Sequence, residues 1–282
     1  MKLIISKQFE NKTIEYFLDY YKQSKKNKYL LLSSNNITLN NNKVNLNTVM
    51  QLNDELIIEE KAGIDYELDD LECDVIYEDE YILVVNKPEG IIVHNETNSL
   101  GNRVARYYFN NNLNIPIRHL HRLDNQTQGL VMYSKSTFFQ PYLDFLLSNK
   151  MIKRYYKAIV MGNINENIII NEPIGRDRHN SKKYRVSKTG KSAVTKVSIL
   201  KKKNNYTLLN CVLETGRTHQ IRVHLQYKNL FIVNDELYGK KSKDFKSMGL
   251  YAYKLEWNDI ITNKKKVVVL PPNNDLNYFE IL

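Results

Sequence analysis

Between residues 74 and 258 the chain alternates strand-length apolar runs with stretches of helical spacing, and no other feature limits its fold as much. DVIYEDEYILVVNKP has the form of a hairpin entering a turn at Pro88, and LVMYSK, YYKAIVMG, AVTKVSIL, YTLLNCVL and GLYAYKLEW read as further strands. SLGNRVARYYF predicts an amphipathic helix with Ser99 as its N-cap. Strands of this length mixed with helices favour an α+β sheet over a sandwich.

A chain of 282 residues that is 42% hydrophobic, with 20 Tyr and 9 Phe, can bury a large core and is not a disordered polymer. Its length favours a second, smaller unit beside the main one. Ile14, Phe17, Leu18 and Tyr21 recur at helical spacing, and ITLNNNKVNL and QLNDELIIEE read as short strands around Asn-rich turns. Residues 1 to 60 are therefore expected to form a small α+β module, residues 61 to 73 an acidic linker, and residues 74 to 282 the main domain. The end of the module is a strand, a turn with Asn and Lys, a polar spacer, and Asp54 ahead of Leu56, Ile57 and Ile58. It resembles the small RNA-binding module named after ribosomal protein S-four.

Positive charge sits at both sides of the acidic stretch. Residues 1 to 53 carry net +5, residues 54 to 72 net −8, and the remainder net +13, for a total of +10. A broad cationic surface attracts polyphosphate and releases its counterions, so nucleic acid is the first partner to consider. The bland alternative is a solvated lysine-rich surface. No apolar run reaches the roughly 20 residues of a membrane span, and MKLIISKQFE lacks a signal-peptide core, so a cytoplasmic protein with no membrane partner is expected. Cys73 and Cys211 are too few and too distant for a disulfide framework and read as reduced thiols.

Two familiar motifs fail on inspection. RVSKTGKS contains GKS, but a phosphate loop needs a glycine five positions before Gly190, where Arg185 stands. His119 and His121 would share a strand face as zinc ligands, though hydrogen-bonded roles suit an isolated pair better, and no metal site is predicted. HRLDNQTQGL, residues 121 to 130, places the carboxylate Asp124 in a polar turn between Arg122 and the loop-shaping Thr127 and Gly129. Read alone, it fits a local ion pair as well as a catalytic centre. LLNCVLETGRTHQIRVHLQY reads as a strand, a turn at Gly216, and a helix capped by Thr218, whose Ile221 and Leu225 anchor one face and leave Arg222 free. A fixed guanidinium beside a carboxylate keeps it ionised and aimed; an arginine that merely staples helix to sheet is the competing reading.

In that order, HRLDNQTQGLVMYSK, YYKAIVMG, NEPIGRDRHNSKKYRVSKTGKSAVT and LETGRTHQIRVHL resemble the RluA family of RNA pseudouridine synthases, and KPEGIIVH resembles the block before its catalytic loop. The resemblance spans roughly residues 74 to 258. It implies a mixed, largely antiparallel central sheet flanked by helices, and isomerisation of uridine in structured RNA without metal or organic cofactor. Carried over by position, Asp124 matches the catalytic aspartate, Tyr156 the aromatic that packs on uracil, Arg222 the partner of the aspartate, and Arg122 the arginine that fills the gap left by the target base. Asn229, Phe231 and Asn234 stand where the family usually shows Gly, Pro and Gly, and Asn95 where it commonly has Pro.

Moving uracil from N1 to C5 on the ribose C1′ consumes no water, so one carboxylate suffices where a hydrolase uses two. Asp124 would attack C1′ or remove the 2′ proton, and the sequence leaves both routes open. The base must first flip out, at a cost of about a few kcal/mol. Arg122 would fill the vacated stack and Tyr156 would receive the uracil. Lys182, Lys183, Arg185, Lys188 and Lys191 form a basic tract suited to RNA phosphates, or else a solvated loop. The expected function is an RNA pseudouridine synthase acting as a monomer on structured RNA, ribosomal RNA rather than transfer RNA on account of the N-terminal module. Two other classes remain: an RNA-binding or ribosome-assembly factor on a synthase scaffold, which has no need of Asp124, and a nucleoside hydrolase, whose second carboxylate would have to come from a distant acid such as Asp177 or Asp235.

Overall fold

A computed structural model describes residues 1–94, 97–162 and 164–280. The sequence departure at Asn95 lies outside them. Two sheets organise the chain. The first is antiparallel, with strands Lys2–Ile4, Glu55–Ile58, Ile37–Leu39 and Asn42–Lys43 side by side in that order. It carries the helices Ile14–Tyr20, capped by the Thr13 side chain, and Lys25–Ser33, capped by Ser24. The first of these follows the predicted spacing; the strand Lys2–Ile4 and the second helix were not read from the sequence.

The second sheet has eleven strands and is mixed. Its long path runs Ile168–Asn171, Val194–Lys203, Tyr206–Leu213, Lys153–Met161, Leu250–Asn258, Gln128–Ser134, Ile82–Lys87 and Asp74–Glu78. Among the described residues, the parallel pairing is that of Leu250–Asn258 with Gln128–Ser134, where Ala252 lies opposite Gly129. Gly129 has φ +117°, and a Cβ there would meet the Ala252 carbonyl oxygen at 2.2 Å, so the close approach of these two strands requires glycine.

Alternation along the central strands sends side chains to two buried faces. Leu83, Val85, Val131 and Tyr133 face one core together with Leu100, Val104 and Tyr108 of the helix Leu100–Asn110. Ile82, Val84, Leu130 and Met132 face the other, against Leu143 and Leu146 of the helix Gln140–Ser148. The N-terminal unit completes that second core: Phe17 stacks on Phe138, and Tyr21 meets Phe139 edge-on. Glu60 ties the junction by accepting bonds from Ser136 Oγ and the Phe138 amide at 2.7 and 2.9 Å. Residues 61 to 73 run against the helix Leu100–Asn110, where Asn102 and Arg106 donate to the carbonyls of Glu67 and Asp69.

The asparagine content has a structural use. Eleven of the fourteen non-glycine residues with positive φ, among the described residues, are Asn. Its short polar side chain tolerates the left-handed conformation better than other L residues do. Asn229 and Asn234 are two of these, at φ 56° and 55°, so they supply the backbone that glycine would supply there. No helix among the described residues is long and apolar enough to cross a membrane.

Candidate active site

The strands Arg118–His119 and Gln128–Ser134 pair antiparallel, and the loop between them carries Arg122 and Asp124. It is held from beneath by Lys87, which is wholly buried at the end of its strand. Lys87 Nζ donates to the carbonyls of Pro88, Ile91 and Asn125 at 2.8, 2.7 and 2.9 Å. Burial lowers its pKa to about 8, against the opposing pull of Asp124 and Glu89. The Thr127 amide closes the turn on the Asp124 carbonyl at 3.0 Å.

Arg222 reaches this loop from the helix Gln220–Tyr227. Ile221 and Leu225 anchor that helix in the core, and Gln220 and His224 bond to Thr195 of the neighbouring strand. His219, in the left-handed conformation at φ 56°, occupies the N-cap position expected for Thr218. Arg222 donates from NH1 to Asp124 Oδ2 at 3.0 Å and, from Nε and NH2, to both oxygens of Asp235 at 2.7 and 2.8 Å. Burial works against the guanidinium's charge, but Asp235 and then Asp124 outweigh it and raise the arginine's pKa. For Asp235, burial raises and Arg222 with the Tyr238 and Leu237 amides lowers, leaving the carboxyl below its usual range.

Three further groups complete the setting. His219 Nε2 lies 3.9 Å from Asp124 Oδ2, and its Nδ1 is 2.9 Å from the Tyr238 hydroxyl. That hydroxyl also accepts the Tyr184 amide at 2.7 Å. Burial lowers the pKa of His219 and raises that of Tyr238 to about 12.

All of this opens into a cavity of about 1090 Å³ lined by Arg122, Asp124, Tyr156, His219 and Arg222, among others. Asp124 keeps 25% of its side-chain surface exposed, whereas that of Asp235 has none. Tyr156 is 4% exposed and presents only a small part of itself to the cavity. Arg122 is exposed at the mouth, donating from NH1 to His94 Nε2 at 3.3 Å, and the His94 ring stacks on His119 at 4.3 Å. His121 accepts the Met132 amide at 3.3 Å, so the two histidines weighed as zinc ligands have separate partners. The basic tract is set apart: Lys182, Lys183 and Arg185 lie on the hairpin of Ile174–Arg176 and Tyr184–Val186, Lys188 in the turn after it, and Lys191 in a β-bridge to Ile174. Lys183 alone of the five approaches the site, with Nζ 5.7 Å from the Tyr238 ring centre.

A family model described as RNA pseudouridylate synthase matches residues 81–227, and another, the RluD ribosomal pseudouridine synthase N-terminal domain, matches residues 1–56. The chain belongs to the RNA pseudouridylate synthase family. An RNA pseudouridine synthase of Bacillus subtilis is 36% identical over 251 residues, 85% of this chain and 82% of the relative. A ribosomal large subunit pseudouridine synthase D of Borreliella burgdorferi is 34% identical across 76% of this chain and 71% of its own. The structure of human RNA pseudouridylate synthase domain containing 1 shares the fold, with TM-score 0.61 at 20% identity over 71% of this chain and 84% of that one. The synthase therefore isomerises uridine to pseudouridine in RNA, and its mixed, mostly antiparallel sheet is the predicted one.

Sequence reading missed three parts of the synthase site. Asp235 was considered only as a hydrolytic second carboxylate, yet it is buried against Arg222. His219 and Tyr238 carry no local signal, because they meet only when the helix packs on the loop. Lys87 does leave a trace, as a lysine closing the apolar run ILVVNK directly before Pro88.

Proposed function

We propose that the synthase modifies uridine in large-subunit ribosomal RNA, with Asp124 as the group that acts on the ribose. The observation that carries this reading is a partly exposed carboxylate in the cavity, Asp124, that is held by a buried arginine, itself held by a fully buried second acid. Such an aspartate stays aimed while a flipped nucleotide enters, since the donors that hold it are already in place. An ionised Asp124 serves both attack on C1′ and removal of the 2′ proton. Asp235 cannot supply the second carboxylate of a hydrolase, because both its oxygens are engaged and no surface of it faces the cavity.

Tyr156 would meet the uracil, and Arg122, leaving His94, would fill the gap in the RNA stack. Residues 1 to 60 would help dock structured RNA, and Lys182, Lys183, Arg185, Lys188 and Lys191 would meet its phosphates. The ribosomal target is supported by the N-terminal match and by relatives named as large-subunit enzymes. The test uses a large ribosomal RNA transcript tritiated at uridine C5. Intact protein should release tritium to water and Asp124→Asn should not; free uracil as product would refute isomerisation.

A further inference from the structure

Arg154 stands two residues before Tyr156 on the same strand face and lines the same cavity. Its Nε is buried without a hydrogen-bond partner, and among the described residues no carboxylate pairs with its guanidinium. Other cations nearby are compensated: Lys150 and Lys196 share Glu214 at 2.9 and 2.6 Å, and Arg222 shares two aspartates. Arg217 lines the same wall, is exposed, and its guanidinium donates from Nε to the Ser192 carbonyl at 2.9 Å.

Between them sits Gly216. A Cβ there would lie 3.1 and 3.2 Å from Arg154 NH2 and NH1, closer than such contacts normally come. Its φ lies outside the left-handed region, so what a side chain at this position would press on is the guanidinium and not its own backbone. The turn thus lies against a guanidinium that makes no ion pair among the described residues. Its charge reaches the centre of the site, since Arg154 is among the groups that perturb the Tyr156 phenol.

We propose that Arg154, with Arg217 beside it, is the seat of an RNA phosphodiester, the one next to the uridine that enters the cavity. A forked guanidinium matches two phosphate oxygens and calls for a negative partner, which neither a base edge nor a sugar hydroxyl provides. The inference rests on the synthase reading and adds the group that fixes the strand relative to Asp124.

The test compares intact protein, Arg154→Gln, Arg154→Lys and Arg217→Gln on a large ribosomal RNA transcript tritiated at uridine C5, measuring tritium release and the salt dependence of binding. Arg154→Gln should raise KM about tenfold or more with kcat within about twofold, as expected for loss of a charge-assisted contact. It should also reduce the slope of log affinity against log salt by about one, and Arg217→Gln should do likewise. Arg154→Lys should recover the slope but not KM, since it keeps the charge and loses the fork. An unchanged slope in Arg154→Gln, or a fall in kcat with KM unaltered, overturns the phosphate seat. If intact protein releases no tritium, the synthase reading fails instead, while the salt slopes still judge the seat.

Discussion

Arg222 is bound at two points to Asp235, Nε to Oδ2 at 2.7 Å and NH2 to Oδ1 at 2.8 Å, and gives its remaining nitrogen to Asp124. Asp235 also accepts the Leu237 and Tyr238 amides. The buried acid therefore aims the arginine, and the arginine aims the exposed acid. Asp235→Asn leaves a buried guanidinium half-paired and should cost about 3–5 kcal/mol of stability. Because Asp235 has a lowered pKa, its contribution is present above the unfolded carboxyl value near about 4 and is lost as pH falls through the folded value. Urea unfolding of both proteins should show the widest gap near neutral pH and a narrowing gap in acid. A gap constant from neutral pH into strong acid would contradict this assignment.

Lys87→Met should destabilise the protein by roughly 2–5 kcal/mol, because three carbonyls lose one buried, charged donor. One of those carbonyls belongs to Asn125, next to Asp124, so kcat should fall even at temperatures where the variant stays folded. Circular dichroism melts combined with tritium release separate the two effects. A variant with full kcat would show that the Asp124 loop holds its shape without this brace.

Gly129→Ala inserts a Cβ 2.2 Å from the Ala252 carbonyl oxygen at φ +117°. Strain in that conformation alone costs roughly 1–2 kcal/mol, and the clash adds to it by separating the two strands at the end of the Asp124 loop. We expect a loss of at least about 3 kcal/mol, at the upper end of single-residue effects. Normal thermal stability in this variant would mean that the strands do not approach as closely as described.

Arg122→Ala should lower turnover more than initial binding, since the side chain bonds to His94 in the free protein and acts once the base has left its stack. Equal losses in kcat and in RNA affinity would remove the gap-filling role. Neutralising Lys182 and Lys183 together should flatten the salt dependence of binding and leave kcat within about twofold, because Lys182 is exposed and Lys183 approaches the site only through the Tyr238 ring.

Local pattern was enough to reveal the long strands, the Ser99-capped helix and the first helix of the N-terminal module, because apolar spacing records which face each element buries. It also marked Asp124, Arg222, Tyr156 and Arg122, whose flanking residues form recognisable strings. What it could not express was mutual position. Asp235 is thirteen residues from Arg222 and Asp124 ninety-eight, and only the packing of a helix over a sheet makes them one ion-paired group. The same holds for Gly216, which looks like an ordinary turn glycine until the Arg154 guanidinium is found packed close against it. Periodicity encodes burial, a property each residue has with respect to its own element; partnership depends on distances across the chain, which only the fold creates.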